Sequence, residues 1–402
     1  MLPCTLFLAT VFNLTHRRID GLWMFLNVHF LSLSLYLSYQ SGYLHELTTD
    51  FYFTYLMLLL GFYLGYKCMV HHVDLKLQVQ LSPAVLERIN RINYAGFAVF
   101  MAAFATEWKA AGWVLPILAD NKMLAYYNFP QEFVHYAVVA GIPLSISLAM
   151  CAWKGDNARF NWFLITIITV LFVSILARAI ALLQIFGVGF MLYRLGAGPR
   201  RLALRHLAWP MVALIAFTYL SGGVRSDSGN LSLILKVARM DWPNWTAPFA
   251  WIYIYLTTPI ENLRYGWSNL HEHTYGAITL GTVPYTFLDR SWIKETSATF
   301  YADFINSEGF NTAGLFGAVL KDFGLFGIVY TFALGMATAW VTLSRKLFVV
   351  LFSPIWLFAL MTSVTNDYFS TFFFFVYFVS FVLLDRLSRA RAKITRPATA
   401  PG

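Results

Sequence analysis

Long apolar blocks alternate with short polar connections along this chain. The blocks run for about 15 to 25 residues, the length that an α-helix needs to cross a hydrocarbon layer of roughly 30 Å. Backbone amides in lipid must pair within their own segment, so the blocks are predicted to be helices and not strands. We predict about eleven spans, within a range of 10 to 12. They lie near residues 1–15, 21–43, 51–67, 92–112, 133–153, 160–177, 179–195, 207–223, 323–343, 347–365 and 368–385.

Composition points to the same class of protein. The chain is 58% hydrophobic and only 12% charged, well below the quarter or so of charged residues in soluble domains. Its first block lacks a basic start and a small-residue cleavage site, so we expect a retained helix. Cys4, Cys68 and Cys151 form an odd set in or beside apolar blocks and indicate neither a disulfide framework nor a metal site. The expected fold is an all-α polytopic integral membrane protein, with residues 1–402 as a single membrane domain.

The positive charges indicate the orientation of the helices. A net charge of +9 would suit a nucleic-acid partner, but the basic residues gather in alternate loops and in the C-terminal tail. The positive-inside rule places those loops in the cytoplasm and the N-terminus outside. The cytoplasmic set is Arg17, Arg18, Lys67, Lys76, Arg88, Arg91, Lys154, Arg159, Arg194, Arg200, Arg201, Arg205, Arg345, Lys346, Arg386, Arg389, Arg391, Lys393 and Arg396. We therefore expect this chain to lie in membrane lipid and to have no nucleic-acid partner.

One large insertion, residues 224–311, separates the eighth and ninth predicted spans. Because basic loops alternate along the chain, this insertion is expected on the outer side of the membrane, as a large periplasmic loop. An enclosed site is therefore expected here. Residues 231–240 and 247–260 within it are apolar or amphipathic. The second stretch is short and interrupted by prolines, which favours an interfacial or re-entrant helix lining a cavity. If it crosses the membrane, a second crossing must compensate.

Arginines on the outer side are candidate phosphate ligands. Few cations are expected there, and the planar guanidinium suits phosphate oxygens. The alternative is snorkelling, or an ion pair with Asp227 or Glu261. The outer arginines are Arg178, at a tight turn, Arg225, Arg264 and Arg290. We take Arg178, Arg225 and Arg264 as candidate pyrophosphate-binding residues.

The insertion also holds a group of candidate acids and bases. They are Glu261, His271, Glu272 and His273. Such groups can take the proton from a sugar hydroxyl as the hydroxyl attacks. The alternative is a solvated loop with incidental histidines. The spacing is not His-Glu-x-x-His, because position 275 is Tyr275, so no metal is expected.

Aromatic residues crowd the same insertion. Most fit an interfacial belt, and others, such as Tyr255, could stack on sugar rings. The chain has no Asp-x-Asp pair and no glycine-rich nucleotide motif, so no nucleotide-sugar and no cofactor is expected.

The stretch "FNTAGLFGAVLKDFGLFG" (residues 310–327) closes the insertion. Asn311 or Thr312 is predicted to cap a short helix. Lys321 and Asp322 are expected at its far end near the lipid surface, at the outer mouth of the protein. The glycines that follow should let the next span pack closely. We interpret Asp322 as a structural anchor for a loop arginine rather than a catalytic group.

Three segments resemble the Wzy-type oligosaccharide repeat-unit polymerases, the O-antigen and related polysaccharide polymerases of bacterial inner membranes. They are the turn "LARAIALL" opening a span that ends near Tyr193, the segment "YLTTPIENL", and "FNTAGLFGAVLKDFGLFG". The likeness covers residues 165–345. The family's tyrosine-rich sequence after Asn-Thr is replaced here by "NTAGLFG".

The resemblance implies an inverting, metal-independent membrane glycosyltransferase of GT-C-like architecture, related to the O-antigen ligases. Such an enzyme moves a glycan from undecaprenyl pyrophosphate onto another lipid-linked repeat unit at the periplasmic face. A chain-length-regulating polysaccharide co-polymerase is the expected protein partner. Two alternatives are a flippase or other transporter for the same lipid-linked oligosaccharide, and the related ligase.

Overall fold

The structure, a computed structural model, describes residues 3–8, 10, 20–70, 78–129, 132–155, 157–196, 233–279, 299–305, 312–388 and 393–395. This part of the chain is all-α, as predicted. Its main helices are α1 (Gly21–Tyr36), α2 (Thr49–Met69), α3 (Pro83–Ala110), α4 (Lys122–Asn128), α5 (Glu132–Val139), α6 (Gly141–Trp153), α7 (Ala158–Ser174), α8 (Arg178–Arg194), α9 (Leu233–Val237), α10 (Ala247–Asn269), α11 (Gly314–Phe323), α12 (Gly327–Leu343), α13 (Leu347–Met361) and α14 (Phe372–Ser388). Two short strands, β1 (Gln78–Gln80) and β2 (Lys393–Thr395), pair antiparallel.

Polar residues in the connections start several of these helices. The Asp20 carboxylate accepts the Trp23 backbone N–H at 2.7 Å and caps α1. Ser82 caps α3, and the Pro that follows it fits a first turn whose N–H groups have no partner inside the helix. Between α7 and α8 the turn is tight, with Leu176 in the left-handed region at φ 57°. Local sequence therefore places these helix boundaries.

Two helical stretches of the described residues are long and apolar enough to cross a membrane, Phe133–Trp153 and Gly314–Leu343. The apolar helices Gly21–Tyr36, Ala158–Ser174, Ala179–Arg194 and Leu347–Met361 are shorter. Helices occupy most predicted spans, but the predicted total of eleven is not confirmed. The span predicted at 207–223 lies outside the described residues.

The buried apolar side chains form two cores. The first is built by α1, α2, α10, α11 and α12. The second is built by α3, α5 to α8, α13 and α14. Helix α13 joins them, because Leu357 and Leu360 belong to the first core while Val350 and Ile355 belong to the second.

Helices α2 and α12 pack through glycines. A Cβ at Gly65 would lie 1.9 Å from the Phe332 carbonyl oxygen, and one at Gly335 would lie 2.2 Å from the Phe62 carbonyl oxygen. Gly61 and Gly65 form a Gly-x-x-x-Gly pair, the spacing that lets helix backbones approach closely in membranes. Backbone contact thus joins these two helices.

Residues 312–327 form α11, a 3₁₀ turn and the start of α12. Ala313, not Thr312, is the N-cap residue of α11, and it supplies no side-chain cap; Asn311 lies outside the described residues. The position of Lys321 and Asp322 near the lipid surface stays a prediction, but neither side chain is open to its surroundings. Both are buried, at 2% and 0% exposure, because a folded segment of the insertion covers them.

Helix α10 is longer than predicted. The apolar stretch 247–260 continues as one helix to Asn269, through Pro259 in its interior. Its middle is buried in the first core. The cost of an interior proline is about 3 kcal/mol, and tertiary packing outweighs it here. As a result, the residues that follow Pro259 lie on a helix inside the protein and not on a surface loop.

Candidate functional site

Helix α10 carries a buried carboxylate with several hydrogen-bond donors around it. Glu261 is 0% exposed. Its Oε1 accepts from Arg264 Nη2 at 2.6 Å and from Arg264 Nε at 3.1 Å. Its Oε2 accepts from the Tyr36 hydroxyl and, at 3.1 Å, from the His45 backbone N–H. We call Tyr36, His45, Glu261 and Arg264 the Glu261 cluster.

The His45 ring also belongs to this cluster. His45 Nδ1 lies 2.8 Å from Glu261 Oε1, while 60% of the His45 side chain is exposed. The opposite ring atom, Nε2, makes no hydrogen bond with a described residue. The cluster therefore pairs a buried carboxylate with an imidazole that reaches the surface.

The connection that carries His45, residues 37–48, is held against the residues that follow α9 and against α10. Ser41 Oγ donates to the Ala238 carbonyl at 2.5 Å, and the Gly42 N–H donates to the Arg239 carbonyl at 3.1 Å. The Gln40 N–H donates to the Tyr253 hydroxyl at 3.0 Å. These contacts fix the backbone from which His45 projects.

The negative charge of Glu261 and the positive charge of Arg264 nearly balance within the cluster. Burial alone would raise the pKa of Glu261, but hydrogen bonds from Arg264, Tyr36 and the His45 N–H, with the Arg264 charge, outweigh it and lower that pKa. Burial opposes the charge of Arg264, yet Glu261 raises its pKa overall. The Arg264 side chain remains 17% exposed. Glu261 thus holds a charged guanidinium at the edge of the cluster.

The predicted group of acids and bases is only partly brought together. Glu261 lies in the cluster, whereas His271, Glu272 and His273 follow α10 and are exposed. Of these three, His273 lies next to the last turn of α11, with Nδ1 3.3 Å from the Lys321 carbonyl oxygen. None of the three contacts Glu261 among the described hydrogen bonds.

Asp322 anchors the segment after these histidines. Its Oδ1 accepts from the Thr274 hydroxyl at 2.5 Å, and its Oδ2 accepts from the Thr279 N–H at 2.6 Å and the Thr279 hydroxyl at 2.7 Å. The Ile278 N–H lies 3.1 Å from Oδ1. Asp322 is an anchor, as predicted, but its described partners are threonines and backbone amides and not an arginine. We call this set the Asp322 clamp.

Another imidazole, His29, lies beside α10 and, unlike His45, is buried. His29 Nδ1 is 2.7 Å from the Tyr55 hydroxyl and His29 Nε2 is 3.0 Å from Ser363 Oγ. Phe316 stacks on the ring, with 4.5 Å between centroids. A small recess beside His29 is lined by α10 through Pro259, Ile260 and Leu263. Both ring nitrogens have partners, which suits a structural role.

The remaining candidate residues either lie away from the Glu261 cluster or lie outside the described residues. Tyr255 is 47% exposed on α10 and stacks on Trp251 at 5.8 Å. Arg178 begins α8, and nothing is described of its side chain. Arg225, Arg290 and Asn311 lie outside the described residues.

Sequence reasoning missed His45. It lies in a short connection near the N-terminus, and its partner Glu261 lies 216 positions away, so no local spacing links them. The signal that was available is a His followed by Glu46 between two predicted spans, in "GYLHELTTD".

Within the described residues, no group of three or more His, Cys, Asp or Glu side chains is placed to hold a metal ion. Comparisons with protein-family models, with curated proteins and with solved structures found no match for this chain.

Proposed function

We propose that this chain is a multi-pass inner-membrane glycosyltransferase that polymerises undecaprenyl-pyrophosphate-linked oligosaccharide repeat units at the periplasmic face. The observation that carries the proposal is the Glu261 cluster, in which a buried carboxylate holds Arg264 at an accessible edge. A fixed guanidinium is suited to a pyrophosphate leaving group, because its planar set of N–H donors pairs with phosphate oxygens and needs no reorganisation as charge develops.

The distribution of charge over the helix ends supports the proposed topology. Tyr36, a member of the Glu261 cluster, ends α1, and Asp50, in the first turn of α2, accepts the Trp267 Nε1–H of α10 at 2.8 Å. Lys67 lies in the last turn of α2 and Arg386 in the last turn of α14. The polar cluster thus lies at one set of helix ends, and the cations lie at other helix ends. This distribution fits the positive-inside rule if the cluster faces the outside.

Each group has a role in this proposal. Arg264 binds the departing diphosphate, with Arg178 and Arg225 as the further candidate ligands. Glu261 positions Arg264. The Asp322 clamp orders residues 274–279 beside the exposed His271, Glu272 and His273, which are candidate contacts for sugar hydroxyls. Tyr255, exposed on α10, is a candidate for stacking on a sugar ring.

The direct test is polymerisation by purified protein supplied with a lipid-linked repeat unit in the presence of EDTA. The proposal predicts a ladder of glycan lengths on a gel. Arg264→Ala should slow ladder formation by about 100-fold or more, as expected for loss of a group that stabilises leaving-group charge. Arg91→Ala is the matched control, because the Arg91–Glu87 ion pair is exposed on α3, with side chains 74% and 62% exposed.

The outcomes separate the alternatives. Failure of the wild-type protein to extend the lipid-linked unit would reject the polymerase. A ladder made at the wild-type rate by Arg264→Ala would remove Arg264 from the site. In the host, loss of a polymerase leaves single repeat units on the cell surface, whereas loss of a flippase leaves none. Glycan that is polymerised but not attached would indicate the related ligase.

A further inference from the structure

The Glu261 cluster contains an imidazole, His45, that has no part in the proposed phosphate binding. We infer that His45 is the general base that takes the proton from the acceptor sugar hydroxyl, with Glu261 as the residue that positions it. This inference rests on the proposed function and assigns the base to the connection between α1 and α2 instead of the histidines after α10.

Hydrogen bonding selects the tautomer that a base requires. Arg264 and the His45 backbone N–H can only donate, and they occupy Oε1 and Oε2 of Glu261. The carboxylate is therefore an acceptor at both oxygens, so His45 Nδ1, 2.8 Å from Oε1, must carry the hydrogen. In the neutral imidazole this leaves the lone pair on Nε2. A carboxylate orients a histidine base in the same way in hydrolytic triads.

The cluster holds His45 at its backbone as well as at its ring. The His45 N–H donates to Glu261 Oε2 at 3.1 Å, and the Tyr36 hydroxyl lies 2.7 Å from the His45 carbonyl oxygen. The ring is fixed at Nδ1, and 60% of the side chain is exposed. The basic nitrogen is thus presented to the outside from a constrained backbone, which is the arrangement that preorganisation requires.

The bonds and charges of the step balance. The acceptor hydroxyl oxygen forms a bond to the anomeric carbon, and the bond from that carbon to the diphosphate oxygen breaks. The electron pair of the broken bond leaves with undecaprenyl pyrophosphate, next to Arg264. The hydroxyl proton moves to His45 Nε2. The imidazolium that results faces Glu261 and returns its proton to solvent, which the exposed side chain contacts.

The test uses the reconstituted full-length protein, a synthetic lipid-linked single repeat unit, and the initial rate of dimer formation. His45→Gln keeps an amide that can donate to Glu261 but provides no base, so its rate should fall by about 10²- to 10⁴-fold. Affinity for the lipid-linked unit should stay unchanged, because Arg264 is intact. Added imidazole should restore part of the rate in His45→Ala and none in Arg264→Ala.

A matched control exists in the second core. His135 Nδ1 lies 3.0 Å from the buried Glu107 carboxylate, but only 14% of the His135 side chain is exposed. His135→Gln removes the same kind of pair away from the cluster and should keep the wild-type rate. Size-exclusion profiles in detergent would show that each variant is folded.

The remaining results decide against the inference in distinct ways. A wild-type rate in His45→Gln would overturn the assignment of His45 while leaving the polymerase in place. A loss of donor affinity in His45→Ala without rescue by imidazole would also overturn it, since His45 would then support binding. Inactive wild-type protein would reject the proposed function itself.

Discussion

Gly65 of α2 lies against Phe332 of α12 so closely that a Cβ at position 65 would be 1.9 Å from the Phe332 carbonyl oxygen. Neither backbone can yield without separating the two helices. We therefore expect Gly65→Ala to destabilise the protein by about 1–3 kcal/mol, the usual cost of overpacking.

Thermal stability in detergent, followed by the fraction that remains monodisperse, would measure this effect. Gly189→Ala in α8 is the control, because a Cβ at Gly189 meets nothing within 4 Å. Equal stability of the two variants would contradict the close packing of α2 and α12.

Glu261 should make stability depend on pH in the acid range. Its pKa is lowered in the folded protein, where hydrogen bonds from Arg264, Tyr36 and the His45 N–H overcome the effect of burial. A lowered carboxyl pKa contributes stability that is present above the unfolded value of about 4.3 and is lost as the pH falls through the folded value. Glu261→Gln should be less stable by about 1–3 kcal/mol at neutral pH, and the difference should shrink as the pH falls below about 4.3.

Unfolding curves between pH 3 and 7 would show this convergence. Glu46→Gln changes an exposed carboxylate in the same connection and should follow the wild-type curve. A constant difference between wild type and Glu261→Gln at every pH would show that Glu261 is not ionised in the cluster.

Asp367, between α13 and α14, should have the opposite dependence. Burial raises its pKa to about 6; the nearby Asp322 charge adds to the rise, and hydrogen bonds from Ser370 and Phe369 oppose it. Its Oδ2 is buried without a hydrogen-bond partner among the described residues. A raised carboxyl pKa contributes stability below the unfolded value of about 3.9, and this is lost as the pH rises through about 6.

Asp367→Asn should therefore be more stable than wild type at pH 7.5, by about 1–3 kcal/mol, and equal to it near pH 4. Chemical unfolding at the two pH values would measure the difference. The exposed Asp120→Asn should change neither value. A variant that is less stable than wild type at pH 7.5 would contradict an ionised, unpartnered Asp367 oxygen.

The Asp322 clamp should control local opening of residues 274–279. Removing the carboxylate in Asp322→Ala frees the N–H groups of Ile278 and Thr279, which donate to it at 3.1 and 2.6 Å. Hydrogen exchange at these two amides should accelerate by at least about tenfold, equivalent to about 1.4 kcal/mol of local stability. Amides in the middle of α12 serve as the internal reference. Unchanged exchange at Ile278 and Thr279 would show that other contacts hold the segment.

Helix positions were predictable because apolar runs and starting caps are local features. The block at 347–365 appears as α13, Leu347–Met361, and the block at 160–177 appears as α7, Ala158–Ser174. The expectation that prolines interrupt the stretch 247–260 does not hold at Pro259. Helix α10 continues through this residue because the helix is packed on both sides.

The site was predictable only in part, since its contacts join distant residues. Arg264 and Glu261 are three positions apart on one helix, and the sequence suggested that ion pair as an alternative. His45 and the burial of Lys321 depend on packing between separate segments; Lys321, for example, pairs with Asp303. Because Lys321 is charged, the sequence predicts a surface position for it. Its pairing with Asp303 in the folded chain allows it to be buried.

In the proposed topology, the Glu261 cluster and the segment after α10 face the periplasm. Labelling of single cysteines with a membrane-impermeant maleimide tests it, in a background without Cys4, Cys68 and Cys151. Glu272→Cys and Lys346→Cys probe the two sides, because both positions are exposed. We expect intact cells with a permeabilised outer membrane to label position 272 at once and position 346 only after lysis. Labelling of position 272 only after lysis would place the cluster on the cytoplasmic side and rule out periplasmic chemistry at this site.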